Sequence, residues 1–302
     1  MNSYRDNTLT GGRTSDIGNL PEEDSWAFEA LKELLMREKG FDLEAYKERC
    51  ILRRIYLKVR SKGFPNLGLY FRTLSRNMEE LEELFQYLTI NVTEFFRNPE
   101  AYRYLREKIL PALLSERDGN GTINIWSAGC SSGEEPFSLA ILMLKVSRDH
   151  ATDFSFRVLA TDVDKSVLAK GKEGLYTKDA LKNIDEMDVQ EYFVPADKGY
   201  RIKDSVKRRV TFRSANILTD RPGTRQDLIV CRNLLIYFSR DNQEKVIANF
   251  SREMRPGGYL MLGKAETLVG RSRLFFLNVS PVERIYRKRD VPLEEYDPVP
   301  QI

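Results

Sequence analysis

Residues 123 to 140 constrain the fold of this chain more than any other stretch. Residues 123 to 126 are mostly apolar and predict a short buried strand, while residues 127 to 133 are small and able to turn sharply. A helix is expected next, because Pro136 suits a first helical turn and apolar residues recur after it. Strand, small-residue loop and helix together predict the opening unit of a nucleotide-binding α/β domain.

The composition of this loop disfavours a phosphate ligand. A dinucleotide fingerprint needs three glycines, but only Gly129 and Gly133 are present, and the Gly-Lys-Ser/Thr of a Walker loop is absent. Glu134 and Glu135 complement the positive end of the helix dipole but would repel phosphates. The loop therefore favours a cationic or zwitterionic ligand, such as a nucleoside with an amino-acid tail. A plain α/β turn without a ligand remains the alternative.

Composition excludes several classes of protein. Of the 302 residues, 41% are apolar and 31% charged, and no apolar run approaches the roughly 18 residues of a membrane span. The N-terminus has no signal pattern, so a soluble, cytoplasmic protein is expected. Cys50, Cys130 and Cys231 are too widely spaced to predict a metal site or a disulfide framework. The one histidine, His150, argues against proton-shuttling enzymes, and we assign it no chemistry.

Changes of pattern along the chain predict its domains. Residues 1–20 are polar and aperiodic, which is typical of disorder. Helical periodicity over 21–88 predicts a small all-helical domain. Residues 89–98 break that period and are interpreted as a linker whose side chains contribute to the site. The large α/β domain is expected over 99–288, with a small inserted β-subdomain at about 176–210 and a tail over 289–302.

Local signals give more detailed expectations. A second helix should run from just after Asp42 to about Lys62, and Asn98 can cap the helix that follows the linker. Residues 256–258, Pro-Gly-Gly, predict a tight turn into a strand, and residues 274–278 predict a strand near the end of the domain.

The second helix has an apolar and a basic side. Ile51, Ile55 and Val59 form a stripe that requires a core. Basic residues lie on the opposite side and along one flank, and the candidates for substrate docking are Arg53, Arg54, Lys58 and Arg60. A solvated helix face and a docking surface for an acidic partner, protein or nucleic acid, both remain open.

An acidic pair follows the second predicted strand of the large domain, residues 156–160. Asp162 stands where a carboxylate can accept both hydroxyls of a ribose. Asp164 is better placed to cap the helix that begins near Lys165. The two residues are therefore expected to divide these tasks.

Four blocks of the sequence are similar to a known family. They read Asn-Val-Thr-Glu-Phe-Phe-Arg (91–97), Trp-Ser-Ala-Gly-Cys-Ser-Ser-Gly-Glu-Glu-Pro-Phe-Ser (126–138), Ala-Thr-Asp-Val-Asp (160–164) and Cys-Arg-Asn-Leu-Leu-Ile-Tyr-Phe (231–238). In this order and spacing the chain resembles the chemotaxis receptor methyltransferases, the CheR family, from about residue 25 to 288. Two departures are Cys130 and the block Gly263-Lys264-Ala265-Glu266, which stands where Gly-His-Ser-Glu is more usual.

The resemblance implies a Rossmann-like α/β methyltransferase that uses S-adenosylmethionine and releases S-adenosylhomocysteine. It implies methylation of glutamate side chains on the cytoplasmic helical region of chemoreceptors, by a monomer that neither binds nucleic acid nor inserts into a membrane, and it implies no metal. The cofactor contacts that it implies are Asn91, Thr93, Arg97, Glu135, Asp162, Asn216, Ile217, Arg232 and Asn233. Tyr237 matches a family tyrosine near the transferred methyl group, and Arg97 with Tyr237 are the catalytic candidates.

This chemistry agrees with a single histidine, because a glutamate carboxylate is already ionised at neutral pH and needs no general base. Two other functions are considered. One is a non-catalytic module that binds a nucleoside as a signal. The other is a nucleic-acid methyltransferase that uses the basic helix, although Arg232-Asn233-Leu234-Leu235 stands where base methylases often have an Asp/Asn-Pro-Pro-aromatic block.

Overall fold

The structure, a computed structural model, describes residues 20–116, 121–149, 154–223 and 225–290. The expectations for residues 1–19, for His150 and for the tail beyond residue 290 lie outside these ranges. The chain divides into two compact units. The first comprises Met1–Glu44 and Glu48–Leu88, and the second comprises Ala45–Lys47 and Thr89–Ile302.

The first unit is helical. Its helices are α1 (Glu22–Lys39), α2 (Glu48–Ser61), α3 (Leu67–Leu74) and α4 (Met78–Thr89). The predicted apolar stripe of α2 is buried at Ile51, Ile55 and Val59. The buried carboxylate of Asp24 accepts hydrogen bonds from Leu67 N (2.9 Å) and from the Tyr56 hydroxyl (2.9 Å), and so ties α1 to α2 and α3.

Helix α2 begins later than its sequence suggests. Residues Leu43–Ala45 form a 3-10 turn, and the helix starts only at Glu48. Between them, Tyr46 forms an isolated β-bridge with Phe238 of the same unit, and the two rings stack with centroids 4.7 Å apart. Because the backbone around Tyr46 is extended for this pairing, it cannot be helical, and the expected start after Asp42 is wrong.

The second unit alternates strands with helices. Its main-sheet strands are β1 (Ile123–Ala128), β2 (Phe156–Asp162), β6 (Val210–Ser214), β7 (Gln226–Cys231), β8 (Met254–Leu262), β9 (Phe276–Ser280) and β10 (Ile285–Lys288). The helices around it are α5 (Pro99–Tyr104), α6 (Leu110–Ser115), α7 (Glu134–Asp149), α8 (Lys165–Glu173) and α11 (Arg240–Glu253), with a π-helical segment at Leu105–Ile109 between α5 and α6.

The main sheet has seven strands in the order β6-β2-β1-β7-β8-β10-β9. The first five strands run parallel to one another, and β10 runs antiparallel to both of its neighbours, β8 and β9. One apolar cluster contains Ile125 and Phe137, and a second contains Trp126 and Phe250. Since adjacent residues of β1 enter different clusters, both faces of the sheet are covered. The expected Rossmann-like α/β fold is confirmed.

A small subdomain is inserted between α8 and β6. Strands β3 (Leu175–Tyr176), β4 (Phe193–Ala196) and β5 (Gly199–Ile202) form an antiparallel sheet in the order β3-β5-β4, and two short helices accompany it, α9 (Glu186–Tyr192) and α10 (Asp204–Lys207). A Cβ atom on Gly199 would lie 2.1 Å from the carbonyl oxygen of Tyr176, so only glycine fits where β5 begins.

Three local expectations differ from the structure. Residues 256–258 lie inside β8, whose pairing with β7 shifts register, rather than in a turn before it. Residues 274–278 are divided between a 3-10 helix, Gly270–Leu274, and β9. Asn98 precedes α5 but does not cap it, because its side chain accepts a hydrogen bond from Arg232 instead.

Candidate active site

Most of the candidate cofactor-binding residues of the second unit lie at or just after the carboxyl ends of the parallel strands. Strands β1, β2, β6 and β7 are parallel neighbours, so their carboxyl ends meet at one edge of the sheet. The loop after β1 begins at Gly129, Asp162 ends β2, Asn216 follows β6 and Arg232 follows β7. Ligands of open α/β sheets bind at this edge, where the strand order reverses. Here the order reverses between β1 and β7.

The loop after β1 requires its glycine at position 129. The backbone N–H groups of Gly129 and Cys130 both donate to the carbonyl of Thr161, at 2.8 and 3.0 Å. Gly129 has a φ of 78°, and a Cβ atom there would lie 2.6 Å from Leu234 Cδ2. The glycine therefore allows the loops after β1 and β7 to approach closely.

Of the acidic pair at the end of β2, Asp164 caps α8 as expected. The Asp164 side chain caps α8 by accepting from Ser166 N (2.8 Å) and Val167 N (3.4 Å). Asp162 accepts from Ser131 N (2.8 Å) and Asp164 N (3.0 Å), so it shapes the small-residue loop. Burial raises the pKa of the Asp162 carboxyl above its ordinary value. Its role towards a ribose stays a prediction.

The linker, residues 89–98, belongs to the second unit and is bonded to the rest of that unit at several points. Asn91 Nδ2 donates to Asp164 Oδ2 at 2.8 Å, and the Ser131 hydroxyl donates to the carbonyl of Asn91 at 3.3 Å. Phe95 is buried against the inserted subdomain, with its ring 4.8 Å from that of Tyr176. Thr93 and Arg97 are half-buried, and Arg97 Nη1 donates to the carbonyl of Val92 at 3.1 Å. Arg97 thus lies on a segment whose backbone and side chains are held by these contacts.

Glu135 is the central charge of the site. The Ser127 hydroxyl donates to Glu135 Oε1 at 2.8 Å, and Arg232 Nη1 lies 4.0 Å from Oε2. Burial raises the pKa of Glu135 to about 7, and the negative charge of Glu266 adds to this. The guanidinium groups of Arg232 and Arg97 oppose the rise without cancelling it. These four charged groups therefore lie within electrostatic reach of one another.

Arg232 and Asn233 have hydrogen-bonding capacity that the described residues do not use. Arg232 is buried, and among the described residues only its Nη2 forms a hydrogen bond, to Asn98 Oδ1 at 2.7 Å. Arg232 Nε and Nη1 and Asn233 Oδ1 are buried without a hydrogen bond. Unsatisfied buried donors beside an under-compensated carboxylate fit a zwitterionic ligand, whose carboxylate and ammonium would each find an opposite charge. The amino-acid tail of S-adenosylmethionine meets this requirement.

The remaining candidates of the second unit lie on the same loops. Asn216 Oδ1 accepts from Leu218 N at 3.0 Å, and Ile217 is half-buried against the apolar cluster that contains Trp126. Tyr237 is half-exposed, and its carbonyl accepts from Lys47 N at 2.8 Å. Hydrogen bonds and packing thus hold these residues on the loops. Their contacts with a cofactor stay predictions.

The basic candidates of α2 divide into two groups within the first unit. Arg54 lies over the Tyr87 ring, 4.5 Å from its centroid, and donates to the carbonyl of Tyr87. Lys58 pairs with Glu83 at 3.3 Å. Arg53 and Arg60 are exposed and have no ion pair within the described residues. Arg53 and Arg60 are therefore the two candidates without an ion pair among the described residues, and docking through any of the four stays a prediction.

Sequence reasoning did not assign a role to Glu266 and did not foresee that Asn98 accepts a hydrogen bond from Arg232. Glu266 follows the carboxyl end of β8 as Asp162 ends β2, so the same signal was available for it. No group of three or more His, Cys, Asp or Glu side chains within the described ranges could hold a metal ion. No described helix is long and apolar enough to cross a membrane.

The sheet order is that of an α/β domain, and its acidic site suits a nucleoside with an amino-acid tail better than a phosphate. Two family models match the chain: "CheR methyltransferase, SAM binding domain" over residues 91–282 and "CheR methyltransferase, all-alpha domain" over residues 26–89. The chain belongs to the CheR methyltransferase family. The suspected family and the expected S-adenosylmethionine cofactor are confirmed.

Curated relatives agree. The chain is 34% identical to the chemotaxis protein methyltransferase of Listeria innocua over 237 residues, covering 78% of this chain and 88% of the relative. It is 31% identical to that of Borreliella burgdorferi over 245 residues, covering 79% and 87%. It is 29% identical to that of Escherichia coli over 282 residues, covering 89% and 95%.

Proposed function

We propose that the protein methylates glutamate side chains on the cytoplasmic helical region of chemoreceptors, with S-adenosylmethionine as the methyl donor. The observation that carries this is Glu135, half-buried at the start of α7, with a pKa raised to about 7 and with unsatisfied Arg232 donors beside it. Such a pair of charges suits the zwitterionic tail of the cofactor and repels a nucleotide phosphate. We further propose that the enzyme is a cytoplasmic monomer.

Each candidate residue has a role in this proposal. Glu135 would pair with the ammonium of the cofactor, Arg232 and Asn233 with its carboxylate end, and Asp162 with the ribose. Asn91 and Thr93 of the linker and Asn216 and Ile217 after β6 would complete the cofactor site. The sulfonium of the bound cofactor would supply an already activated methyl group.

The protein's own task is then alignment and exclusion of water. A glutamate carboxylate is ionised at neutral pH, so no base has to be found among the side chains. The planar guanidinium of Arg97 would hold the substrate carboxylate through two hydrogen bonds, and Tyr237 would pack beside the reacting methyl. Orientation of this kind can supply on the order of 7 to 11 kcal/mol.

Substrate docking is proposed for the exposed side of α2. Arg53 and Arg60 project from it, and Leu57 between them is 48% exposed. Two cations without an ion pair among the described residues, on either side of an apolar side chain, suit an acidic helical surface, because the cations steer the approach and the leucine gives contact area. Arg54 and Lys58 would support this surface through α4 rather than contact the receptor.

Transfer of labelled methyl from S-adenosylmethionine tests the proposal. Receptor cytoplasmic fragments should become labelled in a base-labile form, as expected for a methyl ester, whereas fragments with glutamine at the accepting positions should not. RNA and DNA are parallel substrates. Label in nucleic acid would favour the nucleic-acid methyltransferase, and cofactor binding without any transfer would favour the non-catalytic nucleoside-binding module.

A further inference from the structure

One buried carboxylate joins the loops that follow β7 and β8. Glu266 Oε1 accepts from Leu234 N (2.8 Å) and Ile236 N (3.3 Å). Its Oε2 accepts from Asn233 N (2.9 Å) and Gly263 N (2.6 Å). Four backbone N–H groups thus converge on one side chain that is 3% exposed. In the loop after β7, three of the four amides of residues 233 to 236 donate to Glu266.

The geometry requires an ionised carboxylate. All four partners are donors, so a protonated oxygen or an amide nitrogen in this place would face a donor with a donor. No salt bridge to Glu266 exists among the described residues, so backbone dipoles and hydrogen bonds balance its charge. Burying a carboxylate costs free energy, so Glu266 is stable in this position only while all four hydrogen bonds are formed.

The surrounding backbone is shaped to this carboxylate. Asn233 has a φ of 59°, in the left-handed region that asparagine adopts more readily than most other non-glycine residues. At Gly263, a Cβ atom would lie 2.7 Å from Glu266 Oε2 and 2.8 Å from Asn233 N. Asn233 is thus one of the four residues whose N–H groups donate to Glu266. Glycine is needed at position 263 to let the two loops approach.

The loop that Glu266 holds carries three candidate residues: Arg232, Asn233 and Tyr237. We propose that Glu266 is a positioning residue for methyl transfer, which fixes this loop so that Arg232 and Asn233 meet the cofactor and Tyr237 meets the reacting methyl. The proposal rests on the function proposed above. Glu266 itself need touch neither cofactor nor substrate, since it acts through the backbone of residues 233 to 236.

The test replaces Glu266 by Gln and by Asp. Glu266→Gln keeps the shape but turns one acceptor into a donor, so we expect kcat at saturating cofactor to fall about a hundredfold and the dissociation constant of S-adenosylhomocysteine to rise about tenfold. Glu266→Asp keeps both acceptor oxygens on a shorter side chain and should recover part of the lost kcat. Affinity is measured by calorimetry, and kcat and KM by methyl transfer to a receptor fragment.

A matched control separates positioning from simple stabilisation. Asp227 is also a buried carboxylate, and its Oδ2 accepts from Asn124 N at 2.7 Å at the start of β1. Asp227→Asn should lower the unfolding midpoint without changing kcat or cofactor affinity. If Glu266→Gln, measured well below its unfolding midpoint, matched Asp227→Asn in both constants, Glu266 would be a scaffold residue and the proposal would be wrong.

Hydrogen exchange of the wild-type protein tests the clamp without any substitution. The amides of Leu234 and Ile236 should be protected in the ligand-free protein, and exchange of both at the rate of an open loop would overturn the proposal even if Glu266→Gln did not fold. If the wild type failed to methylate any receptor, the proposed function would fail, while hydrogen exchange and S-adenosylhomocysteine affinity would still decide the role of Glu266.

Discussion

The two edges of the main sheet treat buried carboxylates differently. At the amino edge, Asp227 is fully buried but forms an ion pair with Arg255 and accepts from Asn124 N. At the carboxyl edge, burial raises the pKa of Glu135 and Asp162, and the nearest guanidinium nitrogen of Arg232 lies 4.0 Å from the Glu135 carboxylate. Paired charges stabilise a scaffold, whereas under-compensated ones cost stability that a ligand can restore.

The same contrast divides α2 in the first unit. Arg54 and Lys58 are engaged by Tyr87 and Glu83, as a structural role requires. Arg53 and Arg60 are exposed and have no ion pair within the described part of the chain. On α2, the two cations without an ion pair among the described residues are the ones proposed to meet another molecule.

Arg97→Ala should give the largest change in activity. If Arg97 orients the substrate carboxylate, kcat should fall about a hundredfold or more with little change in cofactor affinity, because a displacement of about 1 Å in the reacting group costs that much. Arg97→Lys should restore little, since a point charge lacks the planar fork. Stopped-time methylation assays at saturating cofactor give kcat, and calorimetry gives the affinity.

The opposite result would move Arg97 to another role. A variant that lost cofactor binding but kept kcat at saturation would make Arg97 a ligand of the cofactor carboxylate. Equal losses in both constants, together with a lower unfolding midpoint, would indicate that it braces the linker.

Asp227→Asn should mark the amino edge as scaffold. Removing the Asp227 charge leaves Arg255 with only its longer ion pair to Glu116 at 3.8 Å, so the free energy of unfolding should fall by about 1 to 3 kcal/mol. Denaturant titration measures this loss. A change in S-adenosylhomocysteine affinity in the same variant would contradict the proposed division between the two edges.

The sequence predicted the parts of this molecule that depend on local pattern. The apolar runs that became β1, β2 and β7 are recognisable because both faces of a parallel strand are buried. The start of α2 was missed because Tyr46 pairs with Phe238, which lies 192 residues further along the chain. The Glu266 contacts were missed for the same reason: its partners at 233 to 236 are distant in sequence. Local pattern carries no information on such pairings.

Asp162→Ala tests the carboxyl edge through the cofactor. Loss of a charged double hydrogen bond to the ribose should weaken S-adenosylmethionine and S-adenosylhomocysteine alike, by roughly 1.5 to 3 kcal/mol. Asp185→Ala is the matched control, because Asp185 caps α9 of the inserted subdomain by accepting from Asp188 N at 2.8 Å, and its loss should act mainly on stability. Calorimetric affinities that Asp162→Ala left unchanged would remove Asp162 from the site.

Glu135 predicts a pH dependence of cofactor binding. Its pKa of about 7 in the ligand-free protein means that the carboxyl is protonated below that pH and cannot pair with an ammonium. The affinity for S-adenosylhomocysteine should therefore fall by up to about tenfold for each pH unit below 7. Glu135→Gln should bind weakly at every pH and lose this dependence, and a variant that kept the dependence would assign it to another group.

The same pKa fixes the sign of a stability change. The folded pKa of Glu135 lies above its ordinary value of 4.5, so the folded state holds a proton that the unfolded state releases. Stability of the ligand-free protein should therefore decrease as the pH rises from about 4.5 through about 7. Saturating S-adenosylhomocysteine should reduce the decrease, since its ammonium compensates the carboxylate. Thermal unfolding across this pH range, with and without ligand, measures both effects.

The smallest effect is expected at the exposed cations of α2. The double reversal Arg53→Glu and Arg60→Glu should raise the KM for a receptor fragment about tenfold at low salt, since like charges then face an acidic surface. At several hundred millimolar salt the Debye length falls to a few Å, so the variant and the wild type should converge. Arg72→Glu with Arg76→Glu changes the same number of exposed charges in the same unit and is the control. If the α2 variant matched this control at low salt, α2 would be a solvated helix face, and receptor docking would have to use another surface.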